Sequence, residues 1–108
     1  MVTVPEAVLG AATSISAVGP AYMALVAEAQ VDAAVRHGLT PDLAGSLAAE
    51  TMAGTAALLQ ERGYDTLTVR REVTSPGGST ARGLDALERG GLRAAFSEAM
   101  DRVRQVAR

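Results

Sequence analysis

The stretch Val73-Thr74-Ser75-Pro76-Gly77-Gly78-Ser79-Thr80 concentrates the chemistry this sequence can offer. It lies between two segments that read as helices. Pro76 fixes one φ angle, and Gly77 and Gly78 accept φ > 0 conformations closed to other residues. Ser79 and Thr80 stand where the next helix begins, in the place of capping residues. A turn built this way aims backbone N–H groups outward from a helix N-terminus. Such a place binds anions, because the first N–H groups of a helix lack internal partners and the dipole is positive there. A small carboxylate suits it better than a nucleotide phosphate. A Walker-type loop needs a lysine after its last glycine, and the sequence contains no lysine. Taken alone, the turn also reads as a plain connector between helices.

Other reactive side chains are few. Glu28 and Asp32 read either as a carboxylate pair for acid–base work or as a polar stripe satisfied by Arg36. His37 reads as a general acid or, more simply, as a helix-end histidine that complements the dipole. Arg93, Arg102, Arg104 and Arg108 form an anion patch or a solvated face, and their mixture with acids favours the latter. One histidine and no cysteine leave no zinc or thiolate site, so no metal is expected. A net charge of −2 gives no electrostatic case for nucleic acid or an anionic membrane. No charged-then-apolar leader opens the chain, and the longest apolar run falls short of a membrane span. The expectation is a soluble cytoplasmic protein.

The elements that must position the loop follow from composition and pattern. Hydrophobic residues make up 48% of the 108, with only two tyrosines and one phenylalanine. Ala, Leu, Val and Met must therefore fill a single small core, which favours close-packed helices over a β-sandwich. Pro5 to about Ala12 reads as a first helix. A long second helix runs from Val18 or Pro20 to His37, with Ser16 as its simplest cap and Gly38 at C′. Thr40-Pro41-Asp42 is a strong start signal for a third, which runs to about Arg62 and stops at Gly63. Residues 66–73 alternate in part at Leu67, Val69 and Val73, as a strand would. Ser79–Arg89 and Leu92–Val106 make the last two helices, broken by Gly90-Gly91. In the last, Leu92, Phe96, Met100 and Val103 line one face, Arg93, Ser97, Asp101, Arg104 and Arg108 another, and Glu98 pairs with Arg102.

The second helix carries no charge from Pro20 to Ala27. Its charged residues Glu28, Asp32 and Arg36 then form one narrow stripe. A helix apolar nearly all round is buried on most sides, and a small domain has few elements to surround it. An oligomer interface is the natural cover. Gly45, Ala49 and Gly54 in the third helix allow close backbone approach. Gly54 costs roughly 1 kcal/mol relative to alanine, which calls for a packing reason.

Two blocks of this sequence resemble the pyrroline-5-carboxylate reductases. Val73–Thr80, followed by ARGLDALERGGLRAAFSEAM, is similar to that family's C-terminal signature. Thr13-Ser14-Ile15-Ser16-Ala17-Val18-Gly19-Pro20-Ala21-Tyr22 is similar to its T-x-L-S-G-S-G-P-A-Y segment. Between them, His37-Gly38-Leu39-Thr40-Pro41 falls at the family's Gly-Leu-Pro helix corner. The resemblance runs from about residue 3 to the end. It implies an all-α domain of about five to six helices, forming an intertwined dimer as in the C-terminal domain of that family. It also implies a short helix, not a strand, over 66–73. Thr80 matches the threonine that faces the ring nitrogen and carboxylate of the substrate. Ser75, with the N–H groups of Gly78, Ser79 and Thr80, matches the carboxylate cradle, and Thr13 matches a threonine near the same pocket.

Departures from the family qualify this. Ala17 and Val18 replace the usual Gly and Ser, Ser79 replaces a Thr or Ala, and Arg71 stands where an acid is common. The family places a Rossmann-type cofactor domain before this region. Here no Gly-x-Gly-x-x-Gly after a strand appears, and no βαβ pattern exists. The chain therefore looks like an oligomerisation and substrate-binding domain without its cofactor domain: excised, split or a decayed paralogue. The full enzyme would use NADPH or NADH to reduce 1-pyrroline-5-carboxylate to L-proline. This chain alone is expected to bind neither cofactor and to be inactive without a Rossmann domain in cis or in trans. Its expected partners are a second copy of itself and a small carboxylate. The alternative is a non-enzymatic helical oligomerisation module derived from that domain.

Overall fold

The computed structural model describes residues 2–106. Arg108, assigned above to the polar face of the last helix, lies outside them. A 3₁₀ turn, Glu6–Val8, leads into α1 (Leu9–Ser16). Then come α2 (Gly19–Arg36), α3 (Pro41–Glu61), α4 (Thr66–Val73), α5 (Ser79–Arg89) and α6 (Leu92–Val106). No strand occurs among the described residues.

Local chemistry accounts for most of these limits. Thr40 caps α3, its hydroxyl accepting the Leu43 N–H at 3.3 Å, with Pro41 following in the first turn. Such a cap contributes about 1 kcal/mol. At the end of α2, Leu39 N–H donates to the Ala34 carbonyl (3.2 Å) and Gly38 N–H to Val35 (3.1 Å). This is the Schellman closure, and the positive φ of Gly38, 105°, makes it possible. The same pair of bonds ends α3, from Tyr64 to Leu59 and from Gly63 to Gln60.

Residues 66–73 are a helix, so their partial alternation does not make a strand. Asp65 decides this locally. Its carboxylate accepts both the N–H of Thr68 (3.0 Å) and the Thr68 hydroxyl (2.8 Å), a complete N-cap. These bonds hold the Asp65 carboxyl below the usual range, the backbone bond contributing most.

The first helix differs from expectation. It begins as a 3₁₀ turn and extends through Ser16 instead of ending near Ala12. Thr13, Ser14 and Ser16 donate their hydroxyls to the carbonyls of Leu9, Gly10 and Ala12, at 2.8, 2.9 and 3.2 Å. Back-bonding to residue i−4 lets these side chains sit inside a helix. It also means that Ser16 does not cap α2. The Val18 carbonyl instead accepts the first bonds of α2, from Ala21 and Tyr22.

The chain divides into two units, Met1–Met23 with Gly83–Arg108, and Ala24–Arg82. In the first, α1 packs on α6. Tyr22 meets Phe96 edge to face, with centroids 6.2 Å apart. Arg104 lies over Gly10, where an added Cβ would fall 2.6 Å from its Nη1. Glu98 and Arg102 pair at 2.9 Å, as the spacing predicts. In the second unit α3 packs on α4. Ala44, Ala48 and Val69 are its buried apolar residues. Arg62 and Glu72 tie the two helices with a forked ion pair, 2.7 and 3.3 Å. That pair raises the Arg62 pKa, through its hydrogen bond first.

This core is too small for the apolar residues available. α2 buries none of its residues. Leu25 is 63% exposed, Leu43 52% and Leu47 48%. Full burial of each such side chain contributes about 1.5–3 kcal/mol. An added Cβ at Gly45 or Gly54 would meet nothing within 4 Å, so no packing reason for Gly54 lies within one chain. The polar stripe of α2 is also unpaired among the described residues. No ion pair joins Glu28, Asp32 and Arg36, so Arg36 does not satisfy the two carboxylates.

The stretch Glu6–Arg36 contains a window long and apolar enough, by length and composition, to cross a membrane. This corrects the expectation that the longest apolar run falls short of a span. Only 6% of that window is buried.

Candidate functional site

The loop between α4 and α5 is built from both ends. α4 is anchored at its start by the Asp65 cap and along its length by Arg62–Glu72. At its C-cap, Thr74 turns the backbone to extended values (φ −119°, ψ 111°). Ser75 then opens a β-turn. Its carbonyl accepts the Gly78 N–H at 3.0 Å, with Pro76 and Gly77 as the central residues. Gly77 has φ 71°, which makes this a type II turn. Gly78 answers a different need. A Cβ there would lie 3.2 Å from the Ser75 carbonyl oxygen and 3.4 Å from the Ser75 Cβ. Its φ is not positive, so of the two glycines only Gly77 uses its conformational freedom.

α5 starts at Ser79, and the Gly78 carbonyl accepts its first helical bond, from Arg82 N–H at 3.2 Å. Ser79 and Thr80 are therefore the first two helical residues and not its caps. The N–H of Gly78 is spent on the turn, which removes it from the expected cradle. The N–H groups of Ser79, Thr80 and Ala81 precede the first helical bond and have no backbone partner among the described residues. The hydroxyls of Ser75 and Thr80 are exposed and make no hydrogen bond there.

The sequence reading passed over two neighbours. The Thr74 hydroxyl is buried without a hydrogen-bond partner. Arg82 reaches back over the loop. Its Nη1 donates to the Gly77 carbonyl at 2.9 Å and its Nη2 to the Ser79 hydroxyl at 3.3 Å. One signal was available: an arginine in the first turn of a helix opposes the dipole. No acidic residue stands between Val73 and Leu84, and Arg70 and Arg71 close α4 on the other side. The loop is thus a set of unpaired donors in a positive setting, suited to a small anion.

Ser75, Gly78, Ser79 and Thr80 thus lie together in one loop. Thr13 belongs to the other unit. It is exposed on α1, and its proton is committed to the Leu9 carbonyl. Glu28, Asp32 and His37 are exposed on or at the end of α2 and form no hydrogen-bonded constellation. An apolar groove between α2 and α3, lined by Ala34, Leu39, Leu47 and Ala48 among others, carries no ionisable group. No cluster of three His, Cys, Asp or Glu side chains is placed to hold a metal among the described residues.

The model of the pyrroline-5-carboxylate reductase dimerisation family matches residues 6–108. A pyrroline-5-carboxylate reductase of Mycobacterium leprae is 46% identical over 110 residues, covering 86% of this chain and 37% of that protein. A solved pyrroline-5-carboxylate reductase from Coxiella burnetii superposes with a TM-score of 0.87 at 35% identity, over 94% of this chain and 37% of that one. The Plasmodium falciparum pyrroline carboxylate reductase, solved with NADP bound, gives 0.85 at 31% identity, over 93% and 38%. The chain spans less than two fifths of the length of each of these proteins.

Proposed function

Because the chain belongs to the pyrroline-5-carboxylate reductase dimerisation family, we propose that it is the oligomerisation and substrate-binding domain of such a reductase. The whole enzyme reduces the C=N bond of 1-pyrroline-5-carboxylate to give L-proline. The single observation that carries this reading is the Ser75–Thr80 loop, kept intact within a chain matched over residues 6–108.

The described residues hold no strand and no Gly-rich strand-to-helix turn, so they do not fit a dinucleotide. NADPH or NADH supplies the hydride, and a Rossmann domain in cis or in trans must present it. This chain contributes the other side of the site. The N–H groups of Ser79 and Thr80 and the hydroxyl of Ser75 receive the substrate carboxylate, and Gly78 shapes the turn that sets them. Thr80, with donor and acceptor capacity unspent, faces the ring nitrogen. By the family resemblance Thr13 is a further substrate-binding residue. Binding the carboxylate fixes the ring for attack, which is where positioning lowers the barrier.

The assembly is a homodimer with intertwined helices or a higher homo-oligomer, in a soluble cytoplasmic setting. The exposed faces of α2 and α3 support it. They suit an interface of roughly 2,000 Å² or more, as in obligate homodimers.

The test combines the chain with a matching Rossmann domain and measures reduction of 1-pyrroline-5-carboxylate. Turnover is expected only in the combination. Thr80→Ala lowers kcat/KM by about 10- to 100-fold, the scale of one lost hydrogen bond to a charged group. Ser97→Ala on α6 leaves it unchanged. Full activity of Thr80→Ala removes Thr80 from the site. Inactivity of every folded combination favours a non-enzymatic module, with Val18 the first residue to revert.

A further inference from the structure

Arg82 differs from the paired arginines of this chain. Arg62, Arg89, Arg93 and Arg102 each meet a carboxylate. Arg82 meets none among the described residues and spends two donors on the loop, at the Gly77 carbonyl and the Ser79 hydroxyl. Its place in the first turn of α5 sets a cation against the positive end of the helix dipole. The acid one turn further along α5, Asp85, pairs with Arg89 instead. Local helix chemistry therefore disfavours this residue, and an anion at the loop reverses the balance.

We infer that Arg82 is a positioning residue for carboxylate binding at the Ser75–Thr80 loop, an inference that rests on the cradle reading above. It acts in two ways. By donating to the Ser79 oxygen it occupies an acceptor lone pair and leaves the Ser79 proton to point at a ligand. By holding the Gly77 carbonyl it braces the turn, while the rest of its fork keeps a positive charge beside the incoming carboxylate.

The test titrates the 108-residue chain with L-proline and follows the backbone amide shifts of residues 77–81 at low and high NaCl. Wild-type binding is expected to weaken with salt, since an exposed charge is screened. Arg82→Gln is expected to weaken binding about three- to tenfold, a range discounted for exposure, and to flatten the salt dependence. Arg82→Lys keeps the salt dependence but loses the fork, and binds between the two. Ser79→Ala weakens binding in the wild type and adds little to Arg82→Gln, the coupling expected of one unit. Arg89→Gln, about two turns further along α5, removes the same charge and leaves the titration unchanged. If Arg82→Gln matches wild type in affinity and salt slope, the inference is overturned and the cradle stands. If the wild type shows no selective loop shifts at millimolar proline, the cradle fails and takes the inference with it. Should Arg82→Gln not fold, Arg82→Lys decides: wild-type affinity there overturns the role of the fork.

Discussion

Gly77→Ala tests the loop at its most constrained point. Gly77 sits at φ 71°, a region where a Cβ costs about 1–2 kcal/mol. An added Cβ would meet nothing within 4 Å, so the cost is conformational and not a clash. For a domain near 100 residues, 1 kcal/mol lowers Tm by about 4–8 °C, measured at fixed protein concentration because the proposed oligomer would make Tm concentration-dependent. Asparagine tolerates this region better, so Gly77→Asn loses roughly half as much. The chain has one escape, which is to invert the Pro76–Gly77 peptide and convert the turn to type I. That keeps the Gly78-to-Ser75 bond and the Gly77 carbonyl that Arg82 holds, but re-aims the Pro76 carbonyl and the N–H of residue 77. Thermal scans read the strain, and NMR contacts between Pro76 and residue 77 read the inversion. Gly78→Ala, by contrast, crowds the Ser75 carbonyl and displaces Ser75 by a few tenths of an ångström. A Gly77→Ala protein with wild-type Tm and turn contacts would refute the reasoning.

Three further outcomes are expected. Leu25→Asp places a charge on the uncovered face of α2, and two copies each losing about 1.5–3 kcal/mol of burial weaken the proposed dimer by about a hundredfold or more; sedimentation masses equal to wild type across a dilution series in the ultracentrifuge would exclude this face. The Asp65 carboxyl titrates below its ordinary value in the folded chain, so its contribution is present above about pH 3.9 and is lost as pH falls through the lower folded value. Asp65→Asn should therefore show a flatter decline of Tm between pH 5 and 2, and parallel curves would count against the cap. Tyr64 holds φ 66° with its side chain exposed, so Tyr64→Asn should raise Tm by a few degrees, about 0.5–1 kcal/mol of relieved strain; a lower Tm would show that the tyrosine ring has a partner in the assembly.

The helices were legible because their signals are local. Thr40-Pro41-Asp42 starts α3 whatever packs on it, and Gly38 ends α2 with bonds from its own neighbours. The Ser75–Thr80 turn announced itself through Pro76 and Gly77 for the same reason. The limits of α5 and α6 matched the reading because the break at Gly90-Gly91 is written into the residue types. The chain extent of α1 was misjudged because Thr13, Ser14 and Ser16 each have a choice. Their hydroxyls either cap or back-bond, and residue type does not decide between the two. Residues 66–73 needed more than periodicity, since eight residues fit either period in part; the Asp65 carboxylate, engaged twice by Thr68, settles the matter.

What residue types and spacing determined by themselves were the helices other than α4, the Pro76-Gly77 turn and the apolar excess of α2, all of them consequences of near-neighbour chemistry. Tertiary structure decided which donors of the loop remain unspent. Gly78 loses its N–H to a turn bond, Ser79 has its oxygen taken by Arg82, and Thr80 keeps both functions. Such assignments depend on angles and distances between groups that compete for one partner, and no pattern of residue types encodes the winner. Tertiary structure also showed that Gly45 and Gly54 face open space and that Leu25 lacks cover. A sequence marks these residues as apolar or small; only the placed chain shows that nothing of its own fills the gap.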